Sequence, residues 1–138
     1  MISIPDCAIL SVDEKRQLTA IAEELSEIPE VNAIILFGFR AGGRPKPYSD
    51  IDICVITMDC PKRSDKEEIG SFSARNVDLS IFDDLPVFVR FSVFQSGSVI
   101  FLRDKSRLNE LKVKTLLQYH DFQPFLERFA KRRAGVLE

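Results

Sequence analysis

Residues 50–56 read Asp-Ile-Asp-Ile-Cys-Val-Ile, and their interpretation decides the fold. Polar and apolar positions alternate with the period of two that marks a half-buried β-strand. Side chains at i and i+2 of a strand point the same way, so Asp50 and Asp52 share one face and Cys54 lies beside them. Ile51, Ile53 and Val55 fill the opposite face. The strand therefore presents two carboxylates about 6.5–7 Å apart on one side and a core-forming surface on the other.

Further along the chain, Asn76 to Phe82 (NVDLSIF) alternates again and predicts a third strand. Asp78 and Ser80 share one of its faces, opposite Val77, Leu79 and Ile81. If these two strands are neighbours with matching faces, Asp50, Asp52 and Asp78 converge. Such a cluster repels itself unless a cation sits among the oxygens or protons are retained. Magnesium suits oxygen donors and keeps positions open for water and phosphate. Two such ions about 3.5–4 Å apart would hold the attacking and leaving oxygens of a phosphoryl-type displacement.

Upstream, Val31 to Phe37 (VNAIILF) is an apolar run of strand length, ended by Gly38. The loop GFRAGGRPKPYS, residues 38–49, lies between the two strands. Gly38, Gly42 and Gly43 permit close backbone approach, and backbone N–H groups in such turns form anion-binding concavities. Arg40, Arg44 and Lys46 add positive charge. Taken singly, a D-x-D on a strand is a common chance pattern and a Gly/Pro-rich loop is usually a turn. In this order and phase, they are the two halves of a site for a metal–triphosphate ligand.

Outside this centre the elements read plainly. Ser11 to Glu14 (SVDE) forms a capping box opening a helix to about Glu27, with Leu18, Ile21, Ala22, Leu25 and Ile28 at helical spacing. Pro61 to Gly70 is charged and predicts a loop and short helix. Residues 85–94 are ambiguous. Val87, Val89, Phe91 and Val93 alternate as in a strand, whereas Asp84 as cap, Pro86 in the first turn and Gly97 at the end suit a helix. Ser98 to Arg103 predicts a short edge strand.

From about Lys105 the chain turns helical, with Leu108, Leu111, Leu116 and Leu117 as anchors. Pro124 then predicts a kink or a second helix capped by Asp121. Phe122, Phe125, Leu126 and Phe129 form a stripe at helical spacing, a core face or a partner-binding groove. Lys131, Arg132 and Arg133 suit a helix C-terminus. The architecture is α+β, a small mixed sheet with helices packed on it and a helical C-terminal segment, in one domain spanning 1–138.

Composition limits the function classes. Apolar residues make up 45% of the 138 and charged residues 29%, ordinary for a folded chain. A net charge of −2 argues against direct nucleic-acid binding. Apolar runs reach only about seven residues, too short for a membrane span. The first ten residues lack a signal-peptide layout, so a cytoplasmic location is expected. Cys7, Cys54 and Cys60 show no C-x-x-C spacing, which predicts reduced thiols rather than disulfides. The single histidine, His120, supplies little for zinc and reads as a structural or surface residue.

Leu36 to Gly43 (LFGFRAGG) followed by Ser49 to Asp52 (SDID) resembles the G-S-x10-D-x-D motif of the DNA polymerase beta nucleotidyltransferase superfamily. Ten residues separate Phe39 from Asp50, as in that motif, and its third acid falls on Asp78. Within the superfamily the chain is most similar to minimal nucleotidyltransferases, the antitoxins of HEPN/MNT toxin–antitoxin pairs, through its length and the tail LLQYHDFQPF, residues 116–125.

The resemblance implies the nucleotidyltransferase fold, with a helix rather than a strand after the third strand. It implies transfer of AMP from ATP to a tyrosine of a partner HEPN ribonuclease toxin encoded nearby. Asp50 and Asp52 would bind magnesium, Asp78 would complete the metal site and help activate the attacking hydroxyl, and Gly38, Phe39 and Arg40 would lie beside the triphosphate. The chain departs from the pattern at Phe39, where the motif has serine. That departure sets an alternative, an antitoxin that neutralises by binding. A third reading is a nucleotidyltransferase with a small-molecule acceptor.

Overall fold

The computed structural model describes residues 2–5, 10–38, 51–74 and 76–133. Helix α1 spans Val12–Ser26 and opens on the capping box: Ser11 Oγ accepts from the Glu14 N–H (3.1 Å), and Glu14 Oε1 accepts from the Ser11 N–H (2.9 Å). Strand β1, Val31–Phe37, is followed by β2, Ile51–Thr57, and by helix α2, Arg63–Gly70. Strand β3, Val77–Ile81, leads through a 3-10 turn at Phe82–Asp84 into helix α3, Val87–Ser96. Strand β4, Ser98–Leu102, and helix α4, Lys105–Arg133, complete the order.

The sheet runs β3-β2-β1-β4, with β1 antiparallel to both neighbours and β2 parallel to β3. A parallel pair needs a crossover, and the segment containing α2 supplies it. Helices cover both faces. On one, Leu18, Ala22 and Leu25 of α1 and Ile69 of α2 pack on Ile34, Leu36, Ile51, Ile53 and Val55. On the other, Val93 of α3, Leu108 of α4 and Phe82 pack on Ala33, Ile35, Cys54 and Ile56. Double coverage is why β1 is apolar on both faces from Ala33 to Phe37, whereas β3, at the sheet edge, keeps its alternation. The predicted α+β architecture, a mixed sheet with packed helices, is the observed one.

The junctions are tied by a few side chains. Buried Asn32 on β1 exchanges two hydrogen bonds with the Asp104 backbone, Nδ2 to its carbonyl (3.3 Å) and Oδ1 from its N–H (2.8 Å). Asp104 Oδ1 in turn accepts from the Ser106 and Arg107 N–H groups at the start of α4. Arg103 donates to the carbonyls of Ser26, Ile28 and Val31, holding the α1–β1 connection.

Three sequence expectations are corrected. Asp84 does not cap α3; it lies in the 3-10 turn, where its carboxylate accepts from Lys66 Nζ (2.7 Å), and Pro86 stands at the cap position. The resemblance-based choice of helix for this segment agrees with α3, which ends at Gly97. Leu116 and Leu117 are not core anchors: both are exposed, and Thr115 takes the buried position beyond Leu108 and Leu111. Of the two alternatives at Pro124, the second helix capped by Asp121 is not found; α4 runs through the proline as one element. Pro124 offers no N–H to the carbonyl of His120, but both residues are exposed, so water can satisfy that carbonyl and the helix continues. The side chains of Phe125, Leu126, Phe129 and Lys131 to Arg133, and all of Cys7, lie outside the described residues.

Candidate active site

Strand register assembles the site at one end of the sheet. Phe37 at the end of β1 is paired with Asp52 near the start of β2, and Asp52 is paired with Asp78 on β3. Directly opposed residues in a sheet point to the same face, and neighbouring strands lie about 4.8 Å apart. Phe37, Asp52 and Asp78 therefore form one row across three strands, with Asp52 half-buried and Asp78 exposed. One step along the strands Ile35, Cys54 and Ser80 form the next row on the same face. The sequence pattern placed Asp52 and Asp78 on polar faces; the parallel register brings those faces together.

Gly38 closes this end. Its φ of +81° lies in the left-handed region, which a side chain disfavours. A Cβ there would also collide with Oδ2 of Asp52. The glycine thus does two things: it turns the chain out of β1, and it lets the backbone pass directly against the Asp52 carboxylate. Phe37 is the member of the row that sequence reading missed. Only the β1–β2 register reveals it, since Ala33 to Phe37 is apolar on both faces and shows no polar side.

Cys54 forms the floor beneath the row and is fully buried. Burial pushes its thiol well above the ordinary range, with Arg90 nearby pulling the other way and Asp83 adding to the rise. The thiol therefore stays protonated and inert. We expect an alkylating reagent at pH 8 to modify exposed Cys60 and spare Cys54 in the native protein, as read by peptide mass spectrometry.

Asp50, Phe39 and Arg40, together with Gly42, Gly43, Arg44 and Lys46, lie outside the described residues. Among the described residues no group of three His, Cys, Asp or Glu side chains could hold a metal ion. Asp52 and Asp78 are an oxygen-only pair, and with the close Gly38 backbone they suit a hard divalent cation carrying phosphate. His120 is exposed on α4.

A separate cavity of about 420 Å³ opens at the other end of β2, where Thr57 and Asp59 face Arg90, Arg107 and Lys114. It is remote from the carboxylate row along β2 and mixes charges of both signs. No helix among the described residues is long and apolar enough to cross a membrane.

Comparison with known proteins agrees with this geometry. A Methanocaldococcus jannaschii protein, named by inference a protein adenylyltransferase, is 32% identical over 81 residues, 59% of this chain. The matched stretch spans 63% of that relative's length. Among solved structures, a chain of the toxin–antitoxin complex MntA–HepT superposes with a TM-score of 0.65 at 21% identity, covering 87% of this chain and 98% of that one. A toxin–antitoxin complex with AMP-PNP gives 0.65 at 20% identity, with the same coverage. A complex of a tri-AMPylated Shewanella oneidensis HEPN toxin with its MNT antitoxin gives 0.61 at 21%, covering 86% and 98%. These likenesses establish a shared fold. Residues 19–106, which hold β1, β2, β3 and the carboxylate row, match the polymerase beta nucleotidyltransferase family, and the chain belongs to that family.

Proposed function

We propose that this protein transfers AMP from ATP to a tyrosine hydroxyl of a HEPN-type partner toxin and so silences it. The observation that carries the reading is the opposition of Asp52 and Asp78 on adjacent parallel strands, beneath a glycine turn that accepts no side chain. Support also comes from the superposed complexes, one holding an adenine nucleotide analogue and another an AMPylated HEPN toxin.

In this reading Asp50, Asp52 and Asp78 hold magnesium, two ions in the full site, and Gly38, Phe39 and Arg40 border the triphosphate. When bound, magnesium offsets the phosphate charge and makes the α-phosphorus more electrophilic. Asp52, half-buried and pressed against the Gly38 backbone, is a fixed anionic anchor rather than a mobile one. Asp78, exposed on the edge strand, is accessible to an incoming hydroxyl and takes up its proton. The tyrosine oxygen forms a bond to the α-phosphorus, the bond to the bridging oxygen breaks, and pyrophosphate leaves.

Gly38→Ala tests the cradle. Forcing a side chain into φ +81° costs about 1–2 kcal/mol, and the methyl displaces the Asp52 carboxylate. We expect turnover to drop about 100-fold, the scale of a 1 Å misplacement, alongside a modest fall in unfolding temperature.

Phe39 favours a second reading, a binding antitoxin without turnover, because the motif hydroxyl is missing there. The experiment that separates the two follows the phosphates of ATP. Incubated with magnesium and the HEPN protein encoded beside it, the chain should move label from the α-position, and none from the γ-position, onto that protein. If the two proteins bind but no α-label moves, transfer is excluded and the binding reading stands.

A further inference from the structure

The sheet β3-β2-β1-β4 has two edges, and the chain treats them differently. At the β4 edge the Ser3 N–H donates to the Ile100 carbonyl (2.8 Å), so the N-terminal segment covers it. The β3 edge also begins under cover. Val77 donates its N–H to the Ala74 carbonyl (3.2 Å) and accepts from the Ala74 N–H (3.3 Å). The chain before Ala74 does not continue along β3. Phe72 and Ser73 donate to the carbonyls of Ile69 and Gly70 in α2, and Phe72 packs on the core beneath α1 and α2, the face opposite the carboxylate row.

Strand register identifies the backbone groups left open beyond that point. The Ile51 N–H donates to the Asn76 carbonyl (2.8 Å), so Asn76 turns its backbone groups towards β2. That direction alternates along a strand. Asp78 and Ser80 therefore bond to β2 as well, whereas Val77, Leu79 and Ile81 face the outer edge. The bonds from Val77 to Ala74 on that side agree. Among the described residues, the Leu79 N–H and carbonyl and the Ile81 N–H have no hydrogen-bond partner. Edge strands are commonly guarded against stray pairing by Lys or Pro, and β3 (VDLSI) has neither.

We propose that the acceptor segment of the partner protein docks on this edge as a short extended strand, antiparallel to β3, with its hydroxyl-bearing residue across from Asp78. The proposal rests on the reading above that a protein hydroxyl is the acceptor. The open edge belongs to the strand that supplies the outermost, exposed carboxylate, so an added strand extends the Phe37, Asp52, Asp78 row by one place. In antiparallel addition one residue of the segment exchanges both its bonds with Leu79. The residue after it then opposes Asp78 in a non-hydrogen-bonded pair, on the same face, with Cβ atoms about 4.5–5.5 Å apart. Ala74 already occupies Val77, so pairing stops there and the register is set. A second copy is the poorer occupant. Two β3 strands centred on Leu79 would set each Asp78 against Ser80 of the other copy and close both rows to any acceptor.

The test begins with amide hydrogen exchange in the wild-type chain, read by NMR, alone and saturated with the HEPN protein encoded beside it, magnesium and α,β-methylene-ATP. The Leu79 and Ile81 N–H groups should exchange at least about tenfold more slowly in the complex. Those of Asp78 and Ser80, already bonded to β2, should be slow in both states. Kinetics with α-labelled ATP follow. Leu79→Pro removes the outward donor and puts a ring on the edge, a change that edge strands tolerate. It should raise KM for the HEPN protein at least about tenfold while affinity for α,β-methylene-ATP is kept. Leu79→Ala, which retains the N–H, should raise it far less. If the HEPN protein receives α-label while Leu79 and Ile81 exchange as fast in the complex as alone, docking on this edge is wrong and the transfer reading stands. An equal rise in KM from Leu79→Pro and Leu79→Ala would also overturn it, since the side chain would then carry the effect. If wild type moves no α-label onto the HEPN protein, the transfer reading falls, and this proposal with it. Protection of Leu79 that appears in the chain alone and grows with its concentration would assign the edge to a second copy instead.

Discussion

Asp52→Asn is expected to reduce AMP transfer by about 10³-fold, since a fixed charge at a phosphoryl centre contributes on the scale of 10²–10³ in rate and this residue also anchors the metal. Asparagine keeps the shape and removes the charge, so the change separates chemistry from packing. Asp78→Asn is expected to cost nearly as much, although Asp78 is exposed and contributes little to the core. The informative quantity is the double variant. Groups that act as one unit are strongly non-additive, so Asp52→Asn/Asp78→Asn should be scarcely slower than the worse single variant. Rates that multiply would show that the two carboxylates act independently, contrary to their pairing in register. Initial rates of α-label transfer at saturating magnesium provide the measurement.

Phe82→Ala is expected to cause the largest loss of stability, about 3–5 kcal/mol, the usual range for emptying a buried phenylalanine site. Phe82 is 1% exposed and is the largest side chain of the core beneath α3 and α4. Its ring meets Phe94 edge-to-face at 5.4 Å, and the Arg90 guanidinium lies 5.2 Å from its centroid. Arg90 also donates to the carbonyls of Phe82 and Asp83, so the ring and the 3-10 turn are held by one residue. A domain stable by about 5–15 kcal/mol would lose a large share of that margin. Because Phe82 directly follows β3, some loss of the Asp78 position should accompany it. Phe82→Leu, which keeps most of the volume, should cost less than about 1.5 kcal/mol. Urea unfolding followed by circular dichroism distinguishes the two.

The strands and the polar faces were legible because their period is short and local. Val77 to Ile81 and the start of β2 alternate, which places Asp52 and Asp78 opposite Ile51, Ile53, Val77 and Ile81. β2 is not half-buried as its alternation predicted, because α3 and α4 also cover its Asp52 face at Cys54 and Ile56. The capping box at Ser11 was equally local. What could not be read was pairing over distance. That β2 and β3 are adjacent, parallel and in register at Asp52 and Asp78 depends on the crossover through α2, and Phe37 enters the row only through a hairpin register.

Helix α4 misled for a different reason. Its apolar residues fall on two faces, and spacing cannot say which face meets the sheet, so Leu116 and Leu117 read as anchors. Asp84 read as a cap because capping residues are recognised by type, whereas here Lys66 from α2 claims its carboxylate. Family resemblance added what residue patterns lacked, the helix after β3, which alternation had left open against a strand.

On the proposed function, the Asp52/Asp78 end of the sheet binds a metal–triphosphate. Calorimetric titration with α,β-methylene-ATP, which cannot lose pyrophosphate, tests it most directly. Wild type is expected to bind it in magnesium and to lose it almost completely on adding EDTA, and Asp52→Asn/Asp78→Asn is expected to lose it equally with magnesium present. Undiminished binding by that variant, or wild-type binding indifferent to EDTA, would contradict the proposed function.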